Sequence, residues 1–168
     1  MIKVRLISAI LALVALVFQH IIHEFSHVIA AKCMGIPVLK IQWLTYHGGT
    51  RIFYADEPDL NNDKNIPKKW ALISGAGFVV TNIFGYFGAI VLWNINNNAI
   101  YRLMNLVLTF FVLVFLMVDC IYFLLGSIFN FGDIIGVRAV LKISRRTAII
   151  ANIIIVTLHF IIINFLIY

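Results

Sequence analysis

Residues 6–31 form an apolar run of membrane-spanning length, and near its end lies His23-Glu24-Phe25-Ser26-His27. A hydrocarbon core takes about 20 apolar residues of helix, so the run predicts a transmembrane helix. Residues four apart share a face of a helix. His23 and His27 can therefore grip one Zn²⁺ while Glu24 stands beside the open coordination position as a general base. Five histidines and two glutamates in 168 residues would place this order by accident only about 0.002 times. An ionisable Glu within a span is also costly and reads as functional. The alternative is a helix end whose histidines and Glu24 only hydrogen-bond their neighbours. The motif's placement makes that the poorer reading.

Three further runs, 70–93, 103–125 and 147–168, are long enough to cross a bilayer. Together with a hydrophobic share of 62% and a charged share of 12%, they predict an all-α membrane protein. The expected architecture is a four-transmembrane-helix bundle in one integral membrane domain, 1–168. Lys3 and Arg5 before the first run resemble a signal peptide, but the run is too long and holds the motif itself. The formal charge of +6 does not imply nucleic acid, because the basic residues sit in loops beside the spans, where they set orientation and meet the lipid bilayer. Cys33 and Cys120 form no zinc-like pair or disulfide framework and read as free thiols. There is no internal repeat.

Lys32, Lys40, Arg51, Lys64, Lys68 and Lys69 occupy the first loop, and Arg138, Lys142, Arg145 and Arg146 the third. Only Lys3, Arg5 and Arg102 fall on the other side. The positive-inside rule then places both termini outside and both long loops in the cytoplasm of a multi-pass protein of the cell membrane. His23 and His27 would lie roughly 7–14 Å below the cytoplasmic end of their helix, at 1.5 Å per residue. Within the first loop, Val38–Tyr46 and Thr50–Ala55 are rich in β-branched and aromatic residues. With His47-Gly48-Gly49 between them as a turn, they predict a β-hairpin over 38–55. Its edge could pair with an extended peptide, or the hairpin could only cover the mouth of the bundle. Asp56–Lys69 reads as an irregular loop.

A catalytic zinc normally takes three protein ligands and a water. The remaining intramembrane candidates are Asp119, Asp133, His20 and His159. His20 lies three residues before His23 and either neighbours the site or is a satisfied polar group of the bundle. His159, midway in the last span, reads as an interhelical hydrogen-bonding residue.

From about residue 5 to 145 the chain resembles the site-2-protease-type intramembrane metalloproteases, the zinc-dependent M50 group. These carry H-E-x-x-H in one core helix, a small-residue segment with an Asn in the next, and N-x-x-P…D-G in the third. Here the second element is Ser74-Gly75-Ala76-Gly77-Phe78-Val79-Val80-Thr81-Asn82. The third is Asn130-Phe131-Gly132-Asp133, followed by Ile134–Leu141. No Pro follows Gly75, Gly77 or Asn130, and Gly-Asp replaces Asp-Gly. The resemblance implies Asp133 as third ligand, with Asn82 and Asn130 near substrate or oxyanion. The helix-breaking Gly126, Ser127, Asn130 and Gly132 also favour Asp133 over Asp119; a helix N-cap, a role Asp often fills, is the poorer reading of Asp133. Asp119 could pair with a ligand His, and Asn82 could bridge two helices.

The expected function is an intramembrane zinc endopeptidase with one Zn²⁺ per chain, in which Glu24 moves the proton. The substrate class that the resemblance implies is a transmembrane segment of another protein. The rival readings are an inactive member acting as a membrane scaffold and a small metal or proton transporter. Neither explains why Glu24 stands in this order between two histidines. Oligomeric state is not legible.

Overall fold

The computed structural model describes residues 2–43, 45, 49–58, 66–95 and 102–167, with the backbone alone at 2–5, 102–103 and 166–167. His47 and Gly48 of the expected turn lie outside the described residues, as do Lys64 and Tyr168. Five helices and one hairpin make up the rest: α1 (Ile2–Cys33), β1 (Val38–Gln42), β2 (Arg51–Tyr54), α2 (Lys69–Ile95), α3 (Arg102–Phe129), α4 (Ile134–Leu141) and α5 (Arg145–Ile167). Four of the helices, α1, α2, α3 and α5, are long and apolar enough to cross a membrane. The protein is an all-α bundle of four candidate spans with a small two-stranded sheet, as the apolar runs predict. The helices overrun those runs by a few residues at several ends. Hydropathy marks the bilayer core, whereas hydrogen bonding carries a helix on into the interface.

Helix α2 is the centre of the bundle and packs against α1, α3 and α4, while α5 lies mainly on α3. Close approach of α2 and α3 depends on small residues, the usual device where lipid offers no hydrophobic drive to association. A Cβ at Gly85 would lie 2.6 Å from Leu116 Cδ2. At one end of the bundle Ala89, Leu92, Val112, Leu116 and Ile163 form a buried apolar cluster, and at the other Ala31, Ile36, Trp70 and Ile73 form a second. Leu13, Val17 and Ile29 of α1 are exposed, as expected of side chains that face acyl chains. His159 ties three helices together: its Nδ1 donates to Leu116 O of α3 at 2.8 Å, and its Nε2 accepts from Tyr86 of α2 at 2.7 Å.

The hairpin pairs antiparallel, Lys40 with Phe53, Ile41 with Ile52 and Gln42 with Arg51. An irregularity between Val38 and Lys40 leaves one extra residue on β1, and such a bulge bends and twists the ribbon. Contacts on both sides of the ribbon hold it against α1. His20 Nε2 lies 2.9 Å from Thr50 Oγ1, and the rings of Phe25 and Trp43 sit 5.8 Å apart.

The chain turns back on itself after α3. Asn130 adopts φ 59°, in the left-handed region, and the Phe131 N–H reaches back to Gly126 O at 3.1 Å. That six-to-one bond around a left-handed residue closes the helix and satisfies one of its last carbonyls. Arg145 of α5 serves others, donating to Ser127 O and Ile128 O. Gly132, at φ 72°, then turns the chain into α4 with Asp133 at its head.

Candidate metal centre

The four-residue spacing on α1 places the His23 and His27 rings 4.8 Å apart, edge to face. Both residues are buried, and each is held through Nδ1. His23 Nδ1 lies 2.9 Å from Asp119 Oδ2 on α3, and His27 Nδ1 lies 2.6 Å from Ile73 O on α2. A carbonyl and a carboxylate can only accept here, so the proton of each imidazole belongs on Nδ1. Both Nε2 atoms are thereby turned to the same point. This is the arrangement that orients a metal-ligating histidine and raises its basicity.

Asp133 Oδ2 meets them there, 3.0 Å from His23 Nε2 and 3.3 Å from His27 Nε2. The residue stands at the N-cap of α4, yet its side chain makes no capping hydrogen bond. It faces the histidines instead. One ligand atom from each of the three residues lies within 4.8 Å of the others. Lone pairs this close repel one another unless a cation sits among them. Ligands at 2.0–2.1 Å from a tetrahedral ion are separated by about 3.3 Å; the His27–Asp133 separation of 3.3 Å equals that edge and the His23–Asp133 separation of 3.0 Å is slightly shorter. The donor set therefore fits one divalent metal with a position to spare. With both imidazole protons on Nδ1, the Asp133 carboxylate meets two bare Nε2 atoms. It is an anion facing the cation position.

A cavity of about 260 Å³ opens beside the cluster, lined among others by Glu24, Thr50, Arg51, Tyr54, Ser74 and Tyr122. One water needs only about 10–15 Å³, so the space admits several waters. The hairpin supplies Thr50, Arg51 and Tyr54, and β2 thus forms one wall. Burial first, then the charges of Asp133, Glu24 and Glu57, push the Tyr54 phenol above its ordinary value. Its hydroxyl remains a neutral donor.

The other residues singled out in the sequence lie further off. His20 Nδ1 is 3.9 Å from Glu24 Oε1, and the ring bonds Thr50 rather than a histidine of the cluster. Asn82 donates to Phe78 O of its own helix at 2.7 Å and turns its Oδ1 toward Cys120 Sγ, 3.9 Å away. It does not line the cavity. Asn130 accepts from Arg138 at 3.0 Å on the exposed side of the break.

Three residues at the cluster are given no individual role by the sequence reading. Gln19 and Thr81 both donate to Asp119. Gly77 presents bare backbone to His23, since a Cβ there would lie 2.5 Å from His23 Cε1 and Nε2. The i, i+4 rule relates Gln19 to His23, both on α1, and is the one clue that was available. Glycines and threonines within spans have plain packing uses, which hides the other two.

A family model described as Peptidase M50B-like matches residues 2–167, nearly the whole chain. Neither a curated protein nor a solved structure matches it significantly.

Proposed function

The chain belongs to the peptidase M50B-like family, and on that premise we propose that it is an intramembrane zinc endopeptidase. The observation that carries the reading is the convergence of His23 Nε2, His27 Nε2 and Asp133 Oδ2 beside a cavity that Glu24 lines. His23, His27 and Asp133 would hold one zinc ion. When bound, zinc supplies a Lewis acid that lowers the pKa of a water and polarises a carbonyl.

The chain's own groups do the rest. Glu24 follows His23 directly on α1 and so cannot point where the two histidines point. It lines the cavity instead, where it takes the proton of the attacking water and passes it to the departing amine. Tyr54 and Ser74 face the same space with hydroxyls able to donate to a peptide carbonyl. Asp119 and Ile73 O fix the imidazoles, so no reorganisation is needed as charge develops. The substrate is a transmembrane segment of another protein, locally unwound so that its backbone reaches the cavity. Family membership and the placement of the site within a bundle of spans support that class.

The test is metal analysis coupled to a cleavage assay. Glu24→Gln should retain about one zinc per chain and lose at least about 10²-fold in peptide-bond cleavage, the lower range for general acid–base catalysis. Full turnover by this variant would remove Glu24 from the mechanism. Histidine-dependent metal flux without proteolysis would identify a transporter instead.

A further inference from the structure

We propose that Gln19 and Thr81 are positioning residues for the metal centre, acting through Asp119 on His23. The inference rests on the zinc-peptidase reading and deepens it. Asp119 is buried in the middle of α3, at 3% exposure. A carboxylate in such surroundings is costly unless its oxygens are satisfied. Three donors converge on it from two other helices. Gln19 Nε2 of α1 donates to Oδ1 at 2.7 Å. Thr81 of α2 and His23 Nδ1 of α1, the latter at 2.9 Å, both donate to Oδ2.

Each donor has a distinct geometric consequence. The Gln19 amide holds one oxygen, which fixes the rotation of the carboxylate plane and so the direction in which Oδ2 accepts from His23. Gln19 and His23 are four apart on one face of α1, so that face grips both ends of the carboxylate. Thr81 supplies the link to α2. Its hydroxyl lies 2.8 Å from Gly77 O as well, the usual back-bond of a threonine in a span, but it has only one proton to give. Given to Asp119, that proton ties α3 to the helix whose Gly77 makes room for the His23 ring. Thr81 is fully buried and Gln19 is 3% exposed, so water cannot replace either donor. The imidazole that faces the cation position is set by a carboxylate that is itself set by two side chains.

The direct measurement is the zinc dissociation constant of the full-length protein in detergent, obtained by competition with a chelator, alongside the melting temperature of the zinc-free form. Thr81→Val and Gln19→Leu should each weaken zinc binding roughly 3- to 10-fold, less than the 10–100-fold expected for direct partners of a ligand such as Asp119. Thr81→Ser, which keeps the hydroxyl, should stay within about twofold of the parent protein, because the donor to Asp119 survives. In an Asp119→Ala background, Thr81→Val should cause no further loss, because the acceptor through which it acts has gone. Unchanged affinity in Thr81→Val and Gln19→Leu would overturn the proposal. So would the same fold-loss for Thr81→Val with and without Asp119, which would make it a packing residue only. Failure of the parent protein to bind zinc would be a separate result. It would overturn the peptidase reading, and this inference with it.

Discussion

At the scale of single residues, the space around His23 leaves its ring no room to move. Its Nδ1 is held by Asp119 and its Nε2 faces Asp133, so the ring cannot retreat from α2. A methyl group at Gly77 would lie 2.5 Å from ring atoms that have no free direction. Gly77→Ala should therefore lower zinc affinity by at least about tenfold, the range for losing a partner that orients a ligand, while leaving helical content intact. Gly75→Ala is the matched control. Its Cβ would meet Val137 Cγ2 at 3.6 Å, an ordinary contact, and zinc retention should not change. Asp133 and Asp119 also part at this scale. Asp133→Ala should abolish stoichiometric zinc retention, whereas Asp119→Ala should weaken it about 10–100-fold. Retention in the first with loss in the second would reverse their assignments. Sequence alone brings His23, Glu24 and His27 to attention because their spacing is chemical. Gln19, Thr81 and Gly77 act through contacts made across helices, and of the three only Gln19 is related to the motif by a spacing within its own helix.

Among the elements, the break between α3 and α4 decides whether Asp133 reaches the histidines. Gly126, Ser127, Asn130 and Gly132 predict a break, yet α3 runs through the first two and ends at Phe129. Gly126 is kept for a different reason: a Cβ there would lie 2.6 Å from Phe131 O, in the path of the returning chain. The left-handed residue that closes the helix is Asn130, and the turn into α4 is made at Gly132. Gly132→Ala would impose a left-handed conformation costing about 1–2 kcal/mol. It would also drive a methyl group into the Tyr122 hydroxyl. The expected result is a folded protein with impaired zinc retention, read by metal analysis beside circular dichroism. Asn130→Gly should be tolerated, since glycine adopts φ 59° freely and only the bond to Arg138 is lost. The spans were legible because bilayer thickness sets their length. The hairpin was legible from β-branched and aromatic runs on either side of a glycine turn. The approach of Asp133 to the histidines was legible from the break and the resemblance, but the residue at which α3 ends was not, because helix-breaking side chains do not fix a helix end to within one residue.

For the molecule as a whole, the remaining variable is which way the bundle faces. Lys32, Lys68 and Lys69 flank α1 and α2 at the end that carries the hairpin, and Arg138, Lys142, Arg145 and Arg146 flank α4 and α5 at the same end through the linked contacts of α2 with α4. The far ends of α2 and α5 meet instead through Trp93 and Phe165, whose rings stack at 5.1 Å, in the manner of aromatic residues at a membrane interface. The positive-inside rule predicts a cytoplasmic basic end, which would give the cavity its water from the cytoplasm. A single cysteine at Lys68, exposed just before α2, tests this in a background lacking Cys33 and Cys120. Lys68→Cys should resist a membrane-impermeant thiol reagent in intact cells and react after lysis. Asn94→Cys, exposed near the other end of α2, should show the reverse. The paired sites matter because protection of one alone could reflect burial in a partner, whereas opposite responses at the two ends of α2 point to a membrane between them. Labelling of Lys68→Cys from outside, with Asn94→Cys protected, would invert the bundle and supply the site with water from the opposite surface.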